Sequence, residues 1–311
     1  MADASLAVHD NRAPQLTTHT GLRLREDVLY SNAKGEEKAG IRKRADQALE
    51  QLKDLLTKLL QTDETILYVA NAQVYPPFLE RFFAGWHYYV RPRVLLVFTN
   101  RRLLALRTRS QGLGSWKWDR GIRSLCWGDV ETAKVKGGLS RILKFKLCNG
   151  TKVQFWRIRR VDTKKIEVLV GFLAPASAGE ASAVQGFVSL CPSCLAALVP
   201  GAYTCAQCRT AFKDEKMLLR RTVLIPGGAY FYVGWTGLGI LNLLGEGLLL
   251  VVLIAIFVES FASGPIRGAQ HGPVSAEVAA GPTILLLLLA IEKAVAWAHS
   301  RSYVRDFIPV E

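Results

Sequence analysis

The chain has 311 residues, enough for two domains or for one domain with membrane segments, and half of those residues are hydrophobic. A mean hydropathy of +0.17 argues against a purely soluble protein, and the apolar excess lies mostly beyond residue 220. The formal net charge of +14 is unevenly placed: Arg91 to Lys165 carry 20 Lys/Arg against 4 Asp/Glu, a local +16. Such a field draws anionic lipid, nucleic acid or acidic protein surfaces, and composition does not choose among them.

Residues 1–30 contain Asp3, Asp10, Arg12, Glu26 and Asp27 and no apolar stretch of signal-peptide length. The first 220 residues are therefore expected in the cytosol, where thiols stay reduced. Residues 1–33 read as a flexible N-terminus. Between Gly40 and Gln61, the residues Ile41, Ala45, Ala48, Leu52, Leu55 and Leu59 recur at alternating steps of four and three. That spacing predicts an amphipathic helix within 34–62. Its stripe serves either a homodimer through 41–59 or packing on the neighbouring domain of the same chain.

Residues 63–173 are strand-rich. Val94–Phe98 and Leu103–Leu106 flank a turn at Thr99-Asn100-Arg101-Arg102. Leu143, Phe145 and Leu147 alternate with Lys144 and Lys146, and Asn149-Gly150 predicts a type I′ turn into a return strand with Val153 and Phe155. Asp162 is placed to cap a last helix whose Ile166, Leu169, Val170 and Leu173 face inward. Cys126 and Cys148 lie in strand-like stretches and read as plain buried residues. Lys136-Gly137-Gly138-Leu139-Ser140 reads as a turn and not as a phosphate loop.

A small-residue linker, 174–186, leads to a module at 187–213. Cys191-x-x-Cys194 and Cys205-x-x-Cys208 have the spacing of two zinc knuckles, each pair chelating one side of a tetrahedron. A reduced compartment favours metal over disulfides for these four, and structural Zn2+ is the expected cofactor. A full sulfur shell leaves no open position for water or substrate, so catalysis at the metal is not expected. Iron and a redox dithiol are the other readings of the same cysteines.

Residues 222–311 read as a transmembrane hairpin with a cytosolic tail. The first apolar segment, Ala229 to Val258, holds Glu246 as its one charge, and Tyr230, Phe231, Tyr232 and Trp235 at its start suggest an aromatic belt. The second runs from Val278 to Ala298 and contains Lys293, a counter-ion candidate for Glu246, beside Glu292. Lys213, Lys216, Arg220 and Arg221 precede the hairpin and Arg301 and Arg305 follow it, whereas the loop from Ser260 to Pro273 has Arg267 alone. The positive-inside bias puts both termini in the cytosol.

Three resemblances join these pieces. Leu96-Val97-Phe98-Thr99-Asn100-Arg101-Arg102-Leu103-Leu104, followed by an apolar strand, Asn149-Gly150 and a last helix, resembles the bacterial PH-like and GRAM-like domains. The resemblance spans about a third of the chain and implies a small barrel of two bent sheets closed by the helix. No ligand signature of that family maps onto these residues. Cys191-Pro192-Ser193-Cys194 and Cys205-Ala206-Gln207-Cys208 are similar to zinc ribbons that precede membrane anchors in bacterial proteins, with Leu195 and Arg209 where glycine is usual. Ile225-Pro226-Gly227-Gly228-Ala229-Tyr230-Phe231-Tyr232 resembles the Pro-Gly-x-Gly-x-x-Tyr start of small two-helix membrane modules, with its second glycine displaced.

The expected fold class is α+β: an N-terminal helix, a PH-like small β-barrel with a C-terminal capping helix, a zinc ribbon and two transmembrane helices. The expected location is the bacterial inner membrane. The leading function is a membrane-anchored, non-enzymatic adaptor that meets a protein partner or anionic lipid through Lys134, Lys136, Arg141, Lys144, Lys146, Lys152, Arg157, Arg159 and Arg160. The alternatives are a subunit of a transport or envelope complex that uses Glu246 and Lys293, and, ranked last, a membrane-tethered nucleic-acid binder.

Overall fold

The computed structural model describes residues 16–19, 21–75, 93–110, 116–137, 141–176, 186–262 and 276–310. Residues 1–15, most of the predicted linker, the end of the predicted glycine turn (138–140) and most of the loop between the apolar segments lie outside them. The described residues divide into two compact units, one up to Thr210 and one from Ala211.

The first unit is α+β. Ten strands form one sheet: β1 (Leu16–His19), β2 (Leu22–Arg25), β3 (Thr65–Val74), β4 (Arg93–Thr99), β5 (Arg102–Ser110), β6 (Trp116–Cys126), β7 (Val130–Lys136), β8 (Ile142–Leu147), β9 (Lys152–Trp156) and β10 (Phe187–Leu190). The hydrogen-bonded path is β10-β6-β5-β4-β3-β9-β8-β7, with β2 beside β3 and β1 beside β2. β3 is the pivot. Its first residues pair in parallel with β2, at Arg23↔Thr65, and its last pair with β9, at Gln73↔Trp156. The expected closed barrel is corrected to an open sheet, because no ladder joins β10 to β7 among the described residues. The outer edge of β6, which closure would need, is taken by β10 through Phe187↔Leu125.

Helices α1 (Glu26–Leu29) and α2 (Ala39–Leu59) precede β3, and α3 (Arg160–Ala176) follows β9. The run Val94-Leu95-Leu96-Val97-Phe98 is apolar without a break because the sheet is covered on both faces there. Val94, Leu96 and Phe98 join one core with Trp127, Phe145, Phe155 and the inward face of α3, namely Ile166, Leu169, Val170 and Leu173. Leu95 and Val97 join a second core with Leu104, Leu106 and the stripe of α2. Ile41, Ala45, Ala48, Leu52 and Leu59 of that stripe are buried in this chain's own unit, and Leu49 and Leu56 widen it. Leu55 packs at its margin.

Three local expectations are corrected. Asn149 lacks the positive φ that a type I′ turn needs, whereas Gly150 has φ 79°. The loop is therefore three residues long, with Leu147 N–H bonded to Thr151 O at 2.9 Å and Gly150 in the left-handed position. Cys148 falls in this loop and is exposed, and Cys126 is half-buried. Asp162 lies inside the first turn of α3, and its carboxylate accepts from Tyr68 Oη at 2.8 Å and from Arg44 at 3.4 and 3.5 Å.

The second unit contains α4 (Glu215–Leu224), α5 (Gly228–Tyr232), α6 (Thr236–Ala262) and α7 (Ala276–Val304). Asp214 caps α4 through its Oδ1, which accepts the Met217 N–H at 2.7 Å. The C-terminal residues return to the start of the unit: Phe307 stacks edge-on against Phe212 at 5.5 Å, and Val310 N–H bonds Ala211 O at 3.0 Å. The expected aromatic belt is a separate element. α5 breaks from α6 at Gly234, φ 83°, and Tyr230 and Tyr232 are buried inside the unit. Glycine is required where α5 begins. A Cβ on Gly227, φ 68°, would meet Gly239 O at 2.3 Å, and one on Gly228 would meet Arg221 O at 2.1 Å.

Candidate functional site

β10 delivers Cys191 from the sheet edge, and Leu190 and Leu195 pack on the core beneath. The module therefore borrows hydrophobic core from the sheet, which its own size does not supply. Its two halves fold alike. Cys191 N–H bonds Ala196 O and Leu195 N–H bonds Cys191 O, both at 2.8 Å. Cys205 N–H bonds Thr210 O and Arg209 N–H bonds Cys205 O, both at 2.9 Å. The residue after each Cys-x-x-Cys is left-handed, Leu195 at φ 62° and Arg209 at φ 58°. A side chain in that region costs about 1–2 kcal/mol, so the knuckle geometry holds here without its usual glycines.

The four sulfurs lie within 4.8 Å of one another. Cys191 Sγ is 3.5 Å from Cys208 Sγ, and Cys194 Sγ is 3.5 Å from Cys205 Sγ. A tetrahedral ion with bonds of about 2.3 Å to sulfur sets sulfur–sulfur edges near 3.8 Å, so the cluster can hold one metal ion. The electrostatics agree. The Thr210 hydroxyl, 3.0 Å away, leads the contacts that hold the Cys208 thiol down to about 6. The Cys208 N–H also lowers Cys205. Cys194 goes the other way, to about 12: the Ala196 N–H favours its thiolate, but burial and the three neighbouring sulfurs oppose another negative charge. A cation between the sulfurs would remove that opposition and let the remaining thiol ionise.

The nine basic residues singled out by sequence do not form one patch. Lys134 on β7 faces Lys144 on β8, and Lys146 on β8 faces Lys152 on β9, so like charges sit directly opposite across two ladders. Lys136 and Arg141 lie at the turn end of the same hairpin, on either side of the β7–β8 connection. Lys146 is answered by Glu131 at 2.6 Å. Arg157 lies over the Trp156 ring and reaches Gln73 Oε1 at 3.4 Å. Arg159 and Arg160 leave the sheet face for the start of α3, where Lys34, Lys38, Arg44 and Lys164 join them. Sequence reading missed those four because they come from α2, the loop before it and α3. Trp127 is fully buried, and its Nε1–H donates to Thr99 O at 2.9 Å.

In the second unit, α6 and α7 carry apolar segments long enough to cross a membrane, Thr236–Glu259 and Gly281–Val304. Ile240, Leu244, Leu248, Val251, Ile284 and Leu287 stand exposed on them, as lipid-facing side chains would. Glu246, only 2 % exposed, is paired with Lys293 at 2.5 Å, as the sequence suggested. It also accepts from Asn242 Nδ2 at 2.6 Å and from the Gly227 N–H at 3.3 Å. Asn242 stands one helical turn before Glu246, a spacing visible in the sequence. Lys293 Nζ also donates to Ile225 O at 3.3 Å. Glu292 Oε2 is buried beside this group with no hydrogen-bond partner among the described residues.

No family model and no curated protein matches the chain. Among solved structures, the C-terminal domain of an unknown protein from Leishmania infantum is similar over 41% of this chain and 96% of that one, at 11% identity and a TM-score of 0.25.

Proposed function

We propose that the protein is a membrane-anchored, non-enzymatic adaptor. α6 and α7 insert in the bacterial inner membrane with both termini in the cytosol. The PH-like sheet domain and a zinc ribbon are then presented at the cytosolic face to an acidic protein partner or to anionic lipid. The observation that carries this reading is the lysine ladder. Like charges directly opposite across a sheet destabilise it, so Lys134, Lys144, Lys146 and Lys152 fit a surface selected for an anionic partner. The test is in-cell photo-crosslinking from position 154, which lies opposite Lys144 on the neighbouring strand, read by mass spectrometry. A discrete adduct that disappears when the four lysines are changed to glutamine supports the adaptor. An adduct pattern indifferent to those changes contradicts it.

Zinc is the metal we assign to the four cysteines, because a closed tetrahedral thiolate shell suits it and leaves no site for substrate. The full-length protein in detergent is expected to carry one zinc per chain and to lose it in Cys194→Ser or Cys205→Ser. Stoichiometric iron, or folded protein free of metal, would refute the assignment.

The Glu246–Lys293 pair favours a second reading, a subunit of a transport or envelope complex, because a buried ion pair in a membrane segment is costly without a task. Glu246→Gln is silent in the adaptor reading once membrane insertion is verified. In the second reading it abolishes function at normal protein levels.

A further inference from the structure

The short helices α4 and α5 trace a hairpin against α6 and α7. α4 starts level with the end of α7, where Glu215 pairs with Arg301 and Arg305 at 2.5 and 2.8 Å. Just past its other end, Ile225 O accepts from Lys293 Nζ at 3.3 Å, about two turns before Arg301 on α7. The chain reverses at Ile225-Pro226-Gly227-Gly228, where the Gly227 N–H donates to Glu246 Oε2 at 3.3 Å. α5 then runs back along α7. Tyr230 Oη lies 3.4 Å from His299 Nδ1, and the Trp235 ring lies 5.7 Å from the Tyr303 ring. Tyr232 Oη accepts the Asp214 N–H at 3.0 Å, beside the start of α4.

The reversal is therefore level with Glu246 and Lys293. Both stand inside the apolar segments Thr236–Glu259 and Gly281–Val304, about 15 Å from the near end of each at about 1.5 Å per residue. Once those segments span a hydrocarbon core of about 30 Å, the reversal falls near its middle. Non-helical backbone survives at that depth only where the protein meets its polar groups. Glu246 and Lys293 do so at the Gly227 N–H and Ile225 O, a task for the pair that needs no transport. Leu218 and Thr222 of α4 are buried, whereas Leu219, Val223, Leu224 and Ile225 are 48–72 % exposed. This outer face adjoins α6, where Leu243 and Leu244 are exposed at the level of Gly227. Arg221 bends back toward the start of α4, its guanidinium 5.1 Å from the centre of the Tyr232 ring.

We infer that α4 and α5 form a re-entrant hairpin in the cytosolic leaflet, with acyl chains covering Leu219, Val223, Leu224 and Ile225 and anionic headgroups meeting Lys216, Arg220 and Arg221. The inference rests on the membrane anchoring proposed above. Lipid is the occupant because the apolar face continues that of α6 and because the stems of Lys and Arg lie in the apolar layer while their charges reach the interface. A re-entrant path also returns the chain to the side it left, so the two spans still leave both termini together.

The test is the depth of α4 in the full chain, reconstituted in nanodiscs of phosphatidylcholine and phosphatidylglycerol. A fluorescent amino acid is placed at position 216, 224 or 244, the last as the reference for α6. The lipids are brominated either near the headgroup or deep in the acyl chain. Positions 224 and 244 are expected to lose most of their fluorescence to the deep bromines, and position 216 to the shallow ones. In Gly227→Ala the added Cβ meets Gly239 O at 2.3 Å and pushes the reversal off α6. Position 224 should then shift toward the shallow bromines while position 244 keeps its deep quenching. Shallow quenching at 224 in the native sequence would place α4 flat on the surface. No quenching there would mean protein cover, as a second copy would give. Either result, with 244 still quenched deeply, overturns the inference and leaves the anchoring intact. No quenching at 224 or 244 overturns both.

Discussion

Thr99, Asn100 and Arg102 show what the most recognisable short motif of the sheet unit does. Thr99 Oγ1 donates to Glu64 Oε1 at 2.7 Å and accepts the Arg102 N–H at 3.0 Å. Arg102 grips both oxygens of the buried Glu64 carboxylate at 2.9 Å and donates to Leu59 O at 2.8 Å. Asn100 Oδ1 accepts the Thr65 N–H at 2.9 Å. The motif therefore clasps the turn of β4 and β5 to the end of α2 and the start of β3, which is a structural task. The turn was legible in the sequence. Glu64 was not, because its partners lie 35 and 38 residues away and nothing local marks it as buried. Removing one partner strands the other in a poorly solvated place, so Glu64→Ala is expected to cost about 3–5 kcal/mol. Replacing Glu64 and Arg102 together by methionine should recover most of that loss. Thermal unfolding followed by tryptophan fluorescence reads both. Equal losses for the single and double changes would show that the ion pair is not what Glu64 contributes.

Among the elements, period was readable and partner was not. The stripe of α2 stands in the sequence at helical spacing, yet a coiled-coil seam and a face packed on a sheet share that spacing. Only the fold shows Leu52 and Leu56 set against the core that contains Leu95 and Val97. The first apolar segment read as one continuous run because Tyr230 and Phe231 are as apolar as a membrane helix. Its break depends on Gly227 and Gly234 taking positive φ, which hydropathy does not register. The basic residues after α7, read as a topology signal, are also structural. Arg301 and Arg305 converge on Glu215 at 2.5 and 2.8 Å and fasten the end of α7 to the first turn of α4. Partial burial alone would raise the Glu215 carboxyl, but the hydrogen bonds and charges of Arg305 and Arg301 hold it below its ordinary value. A carboxyl lowered on folding contributes stability that is present above its unfolded pKa, about 4.3, and is lost as pH falls through the folded value. Acidification from about pH 5 to about pH 3 should therefore lower amide protection, measured as exchange relative to the intrinsic rate at each pH, at residues 303–310 in the native protein. Glu215→Gln should be less protected there at neutral pH and lose most of that acid dependence. Unchanged protection across this range in the native chain would remove Glu215 as the fastener.

On the scale of the molecule, the order of parts was visible in composition: a basic strand-rich region, four cysteines in two pairs, then two apolar helices. The four ligand candidates could be named because Cys-x-x-Cys spacing is a local signal, and their sulfurs converge within 4.8 Å. Sheet closure was not visible. It turns on β10, a strand of four residues that belongs in sequence to the cysteine module and in space to the edge of β6. The basic cluster at the start of α3 was hidden for the same reason, since its residues come from segments more than a hundred residues apart. What holds the account together is the proposal that α6 and α7 lie in lipid: both are long and apolar enough to cross a membrane, and their exposed leucines, isoleucines and valines have no other cover among the described residues of their own unit. The direct measurement is fractionation of cells expressing the full-length chain, with the membrane pellet washed in alkaline carbonate. The protein should stay in the pellet through the wash and leave it only with detergent, whereas recovery in the aqueous supernatant would contradict membrane anchoring and every role that rests on it.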